Sequence, residues 1–294
     1  MLPVSLPTCW RLRTRSLELP HPGGSLRRPL LMGIVNVTPD SFSDGGRHAD
    51  VEAAVEHGLA LAAAGADILD VGGESTRPFA DPVATAEELR RVAEVVRRLA
   101  AEGGVPVSID TSKAAVAERA IALGAEIIND VTGLEGDPRM VEVARAGEVA
   151  VCAMHMRGTP QTMQIDPRYG DVVTDIHGYL AARRDALVDA GIPLDRICLD
   201  PGIGFGKTHE HNLTLMRAAA TFLDLGVPIL IGHSRKGFLA KTVEQSLRRP
   251  ATEADRDAAT AGAACSLAAQ GIQIVRVHAV GFVRAALDMF AALG

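Results

Sequence analysis

Arg276 and His278 stand two residues apart, so in an extended segment they share one face and set a fixed cation beside a titratable imidazole, a pairing suited to an anionic group. Ser234-Arg235-Lys236 is a second such locus, with a hydroxyl, two cations and backbone N–H groups at the point where a strand turns into a helix. Each has an ordinary alternative: a salt bridge to a neighbouring carboxylate for Arg276 and His278, and a solvated first-turn lysine for Lys236, which the helix dipole would oppose. Asp110 and Asp200 accept hydrogen bonds when ionised, and Asn129 both donates and accepts. Together they match the edge of a flat heterocycle rich in N–H groups. Phe42 and Phe205, two of only seven phenylalanines, sit beside serine or glycine where a ring can stack on an aromatic ligand; core packing is an equal alternative for Phe205.

Other chemistries find no support. The cysteines Cys9, Cys152, Cys198 and Cys265 form no C-x-x-C pair, so reduced, buried thiols are expected. His209-x-His211 alone lacks metal-ligand company and reads as an exposed helix turn. There is no G-x-S-x-G nucleophile elbow, which disfavours an acyl-enzyme.

The elements that must position these residues are legible from residue 30 onward. Short β-branched apolar runs alternate with longer alanine-rich amphipathic stretches, as in repeated βα units around a parallel sheet. Strands are predicted over 30–37, 67–73, 106–110, 126–131, 149–156, 197–203, 228–234 and 274–280, and helices over stretches such as 51–64 and 115–123 that end in Gly-Ala. Eight units wound one way close more readily into a barrel than an open sheet, and no G-x-G-x-x-G follows the first strand. The expected fold is thus α/β, a single (β/α)8 TIM barrel over residues 30–294 behind an N-terminal extension, residues 1–29, that is either an arm or a hairpin at the barrel floor. Reading each strand to its end gives Asn36, the run from Gly72 to Arg77, Asp110, Asn129-Asp130, His155, Asp200, Ser234 to Lys236, and Arg276 with His278. Any one of these reads as a cap, but their recurrence at one end of nearly every strand fits the site face of a barrel.

Composition agrees with one large core: the 294 residues are 47 % hydrophobic and 22 % charged, with no apolar run long enough to span a bilayer. A net charge of -6 argues against nucleic acid or an anionic membrane as the main partner, while leaving room for a local basic pocket. The first 29 residues hold no apolar stretch followed by a small-residue cleavage site, so a cytoplasmic location is expected.

At these same residues the chain resembles the dihydropteroate synthase family of pterin-binding barrels. The matching segments are Met32 to Gly46 with its Asn-Val-Thr-Pro-Asp-Ser-Phe core, Gly72-Gly-Glu-Ser-Thr-Arg-Pro78, Ser108-Ile-Asp-Thr111, Ile128-Asn-Asp130, Met154-His-Met-Arg-Gly-Thr-Pro160, Leu199 to Lys207, Ser234-Arg-Lys236 and Arg276-Val-His278, in the family's order. The resemblance implies condensation of 6-hydroxymethyl-7,8-dihydropterin diphosphate with 4-aminobenzoate by S_N1-like loss of pyrophosphate, with Mg2+ as cofactor and a homodimer as the assembly. It implies that Asp110, Asn129, Asp200 and Lys236 bind the pterin with Thr76 beside them. Asn36 as magnesium ligand, Arg276 and His278 would hold the diphosphate and neutralise its charge. Phe42, Arg77, Pro78 and Ser234 would build the aminobenzoate pocket, and Asp40 would organise the first loop. The chain departs from the family at Ala279, which replaces an Asp able to orient His278 or Arg276; at Phe79, which replaces a Gly and is expected to narrow the aminobenzoate pocket; and at His233, which replaces a small hydroxyl residue. Ala279 with Phe79 motivates one rival, a pterin-binding relic without turnover. A pterin-dependent methyltransferase on the same barrel is a second, which the Thr-Pro-Asp-Ser-Phe loop and Ser-Arg-Lys oppose.

Overall fold

The computed structural model describes residues 6–21, 28–38 and 47–293. Two short antiparallel strands, β1 (Cys9–Arg11) and β2 (Ser16–Glu18), pair as a hairpin, Trp10 opposite Leu17. Eight parallel strands follow: β3 (Leu30–Asn36), β4 (Ile68–Gly72), β5 (Val107–Asp110), β6 (Ile127–Asp130), β7 (Ala150–Met154), β8 (Ile197–Asp200), β9 (Leu230–Ile231) and β10 (Ile274–Val277). Their spatial order is β8-β7-β6-β5-β4-β3-β10-β9, and a parallel bridge from Leu199 to Ile229 brings β8 beside the lead-in to β9, closing the ring. The barrel expectation therefore stands. The last strands are shorter than predicted, most of all β9, because Pro228 has no N–H to give the ladder and the chain after Ile231 leaves the sheet to build a loop.

Among the described residues nine α-helices interleave with the strands: α1 (Arg47–Ala63), α2 (Thr85–Glu102), α3 (Ala114–Ala122), α4 (Met140–Ala146), α5 (Val172–Asp189), α6 (His209–Arg217), α7 (Gly237–Leu247), α8 (Glu253–Ala269) and α9 (Val280–Leu293). Gly65 and Gly124 adopt φ of 96° and 111°, so the Gly-Ala pairs end their helices in the left-handed conformation open to glycine.

Alternation along the strands divides the core. Leu31, Val35, Leu69, Val71 and Ile109 pack outward under the helices, while Leu30, Met32, Ile68, Ile127, Ala150, Cys152, Cys198, Leu230 and Ile274 point inward and meet Trp10, Leu12 and Leu19 of the hairpin segment. The hairpin plugs the floor, with the Trp10 indole donating to the Arg196 carbonyl at 3.1 Å. Cys152 and Cys198 are buried as expected, but Cys9 is exposed because it lies on the outer face of that hairpin, where side chains alternate away from the core.

At the start of α9, Val283 N–H bonds to the Ala279 carbonyl at 3.1 Å, which makes Ala279 the N-cap. Its methyl group can accept nothing, whereas Asp171, Thr208 and Thr252 cap α5, α6 and α8 with side-chain oxygens. An Asp at this position thus has a structural purpose apart from orienting its neighbours. Ala279→Asp should stabilise the fold by about 1 kcal/mol, and raise the thermal midpoint by roughly 2–4 °C in a domain of this size. No rise in a thermal or urea melt would remove capping as the reason for that residue.

Candidate active site

The inward face of each strand changes character from floor to mouth. Ile68 is followed two residues later by Asp70, Ile127 by Asn129, Cys198 by Asp200, and Ile274 by Arg276 and then His278, so the period of two that packs the floor also stacks the polar groups above it. Over them opens a cavity of about 940 Å³, whose lining includes Asn36, Thr76, Arg77, Pro78, Asp110, Phe205, Ser234, Lys236, Arg276 and His278. Asn129 and Asp200 are buried one layer below that lining. Asp40 and Phe42 lie outside the described residues.

Arg276 is the hub. Its Nε donates to Asp70 Oδ2 at 2.6 Å and its Nη2 to Asp110 Oδ2 at 2.7 Å; Asn129 Nδ2 donates to the same Asp70 oxygen at 3.1 Å. Burial pushes the Asp110 carboxyl up to about 7, with the charge of Asp70 adding to the shift and Arg276 opposing it. Asp200 is likewise raised by burial against the pull of Lys236, while its Oδ1 accepts from Gly202 N–H at 2.7 Å. Two buried carboxylates beside an amide give a floor of acceptors able to read N–H groups.

The strand-to-helix turn after β9 separates the two cations of Ser-Arg-Lys. Arg235 has φ of 57°, an uncommon left-handed non-glycine backbone, and its guanidinium is committed to Asp257 at 2.7 and 2.8 Å and to Glu253 at 2.7 Å, both on α8. The anion locus expected there is therefore not a cluster of two free cations, because Arg235 is ion-paired to α8. His233 is fully buried and its Nε2 meets the Thr260 carbonyl at 3.0 Å, so this departure fastens the turn to the same helix. Lys236 instead donates from Nζ to the Ile203 carbonyl and sits 4.4 Å from the Phe205 ring centroid. Burial lowers its pKa to about 8.

On β10 and just beyond it, Arg276 and His278 face the cavity while Val277 between them packs into the outer core, as strand alternation requires. His278 shares a hydrogen bond between Nδ1 and Ser234 Oγ at 3.0 Å. Burial, then the cations Arg276, Arg235 and Arg77, lower its pKa to about 3. With no anion beside it, the ring is held towards its uncharged, hydrogen-bonding form at neutral pH.

The loop after β4 carries Thr76, Arg77 and Pro78 to the mouth. Phe79 does not narrow the cavity as expected: its side chain is 68 % exposed and absent from the lining, and its φ of 65° explains why glycine suits the position. Glu74 accepts from Val83 N–H at 2.6 Å and from Lys113 Nζ at 2.8 Å, and Lys113 also pairs with the buried Glu88, so the loop is braced from α2 and the start of α3. His209 lines the cavity instead of standing on an exposed turn, because α6 begins at its wall, while His211 completes a capping box with Thr208. Asp70, Glu74, Glu88 and Lys113 carry no individual mark in the sequence. A carboxylate inside an apolar strand is the one signal available, at Asp70.

A family model described as pterin binding enzyme matches residues 32–278. A dihydropteroate synthase of Neisseria meningitidis serogroup B is 45 % identical over 274 residues, covering 92 % of this chain and 94 % of its own. The Xanthomonas albilineans dihydropteroate synthase solved with 4-aminobenzoic acid superposes with a TM-score of 0.87 at 42 % identity, covering 97 % of this chain and 98 % of that one. The same synthase in complex with 7,8-dihydropteroate gives a TM-score of 0.84 at 40 % identity over 97 % and 98 % of the two chains. With the family model reaching from the first barrel strand to the last, the chain belongs to the pterin-binding enzymes and, among them, to the dihydropteroate synthase family.

Proposed function

We infer that this protein transfers a pterinylmethyl group, condensing 6-hydroxymethyl-7,8-dihydropterin diphosphate with 4-aminobenzoate to give 7,8-dihydropteroate and pyrophosphate. The observation that carries this is one cavity in which an acceptor floor and a cationic corner adjoin, with Asp110 and Arg276 2.7 Å apart. Asp110, Asn129, Asp200 and Lys236 bind the pterin edge, with Thr76 at its rim. Arg276 and His278 hold the diphosphate, the first by charge and the second by a hydrogen bond. Phe42, Arg77, Pro78, Phe205 and Ser234 form the aminobenzoate side, and Asp40 organises the first loop.

No protein nucleophile is required. The C–O bond to the diphosphate breaks first, its electron pair leaving with pyrophosphate, and the pterin ring spreads the positive charge that ionised Asp110 and Asp200 favour. The aryl amine then attacks the methylene carbon and loses a proton as the C–N bond forms. Asn36 lines the cavity, and no group of three or more His, Cys, Asp or Glu able to hold a metal occurs among the described residues. One amide oxygen fits a magnesium ion held mainly by substrate phosphate oxygens and water. When bound, Mg2+ supplies charge neutralisation on the leaving group.

The test supplies purified protein with both substrates and Mg2+ and measures dihydropteroate directly. Product formation is expected; pterin diphosphate binding without product would replace this function with that of a pterin-binding relic.

We assign residues 30–294 to the catalytic barrel and 1–29 to an extension, of which Trp10, Leu12 and Leu19 pack into the barrel floor. A homodimer suits the outer face of α9, where Phe282, Met289 and Leu293 are 56 %, 60 % and 81 % exposed. Free thiols at Cys9, Cys152, Cys198 and Cys265 suit a reducing cytoplasm. No helix among the described residues is long and apolar enough to cross a membrane.

A further inference from the structure

We propose that Asp70, buried in the middle of β4, is a positioning residue that pivots Arg276 and orients Asn129 for the pterin diphosphate. This rests on the function inferred above. As the structure stands, Arg276 and Asp110 occupy one another: the Nη2 group needed by the diphosphate lies on the carboxylate needed by the pterin, 2.7 Å away. Substrate must separate them. The second anchor of Arg276 is made through Nε, at 2.6 Å to Asp70, and it leaves the terminal nitrogens free to turn. A guanidinium held at Nε can swing its fork from Asp110 to a phosphate without leaving its counter-ion, so the buried cation stays paired throughout.

Asp70 also fixes the sense of Asn129. Because Asn129 Nδ2 donates to Asp70 Oδ2 at 3.1 Å, its carbonyl oxygen is left as the acceptor for a ligand N–H. Asp70 itself is fully buried with its Oδ2 taken by Arg276 and Asn129, so it acts through these two residues. Its other oxygen, Oδ1, is buried with no partner, as is the hydroxyl of Ser108, the residue in register with it on β5.

The experiment compares wild type with Asp70→Asn, Arg276→Lys and the double variant. Inorganic pyrophosphate binding is read by calorimetry, and KM for each substrate by steady-state turnover. Asp70→Asn should weaken pyrophosphate about tenfold and raise KM for the pterin diphosphate by a similar factor, with KM for 4-aminobenzoate and the thermal midpoint little changed. Arg276→Lys, which cannot make the Nε contact, should lose a comparable factor, and the double variant little more than either alone. Pyrophosphate binding within twofold of wild type in Asp70→Asn would overturn the proposal. So would losses that multiply in the double variant, or a parallel rise in KM for both substrates. If Asp70→Asn does not fold, Arg276→Lys decides: unchanged pyrophosphate binding there excludes the pivot. Wild-type turnover is measured in the same series, so failure of the function is distinguishable from failure of the pivot.

Discussion

In Asp110→Asn, kcat/KM for the pterin diphosphate is expected to fall about 100-fold, as befits a charge-assisted hydrogen bond in a buried site, and its pH dependence near neutrality should vanish. Asp110 lines the cavity, is 8 % exposed and has a pKa near 7 set first by burial. Its anion is the form that accepts from ligand N–H groups, so wild-type kcat/KM should fall as pH drops through about 7. The amide variant has no proton to gain and loses that limb. Stability supplies the control. The carboxyl titrates at 3.8 in an unperturbed chain and about 7 when folded, so holding it ionised costs stability that builds between those values and is full above 7. At pH 8 Asp110→Asn should therefore melt no lower than wild type, which separates lost activity from lost fold. Retained activity, or an unaltered limb, would remove Asp110 from the pterin floor.

The barrel and its polar face are legible in the sequence because both arise from local rules. A period of two decides which residues point inward, and the same rule carries Ile274 at the floor into Arg276 and His278 at the mouth. What escapes depends on contacts across the closed ring. Asp70 meets Arg276 206 positions later in the chain, and nothing around residue 70 announces that partner. Glu88 and Lys113 look like ordinary helix-surface charges until the packing of α2 beside β5 buries one and pairs both. Charge states are hidden for the same reason: burial first and then three arginines push the His278 pKa down in the anion-free site, and that environment is a property of the assembled face. Ala279 and Phe79 are visible as departures, but their meaning needs a helix start in one case and a positive φ in the other.

Lys236→Ala should lower kcat/KM by at least about 30-fold, or about 2 kcal/mol of transition-state stabilisation. The ammonium is held by the Ile203 carbonyl and the Phe205 ring, and Gly204 lets it approach: a Cβ added there would meet Lys236 Cδ at 2.9 Å. Removing it takes away a pterin contact and also the cation that opposes the upward shift of Asp200, so less of that carboxyl is ionised. The wild-type pKa near 8 adds a signature. If the ammonium is the working form, activity should decline as pH rises past about 8, and the alanine variant should lack that limb. The fold should tolerate the change, because burial depresses this pKa from 10.5, so the charged lysine costs stability below pH 8, a cost that fades as pH rises towards 10.5. Near-normal turnover in a well-folded Lys236→Ala would place the pterin elsewhere in the cavity, away from the carboxyl end of β9.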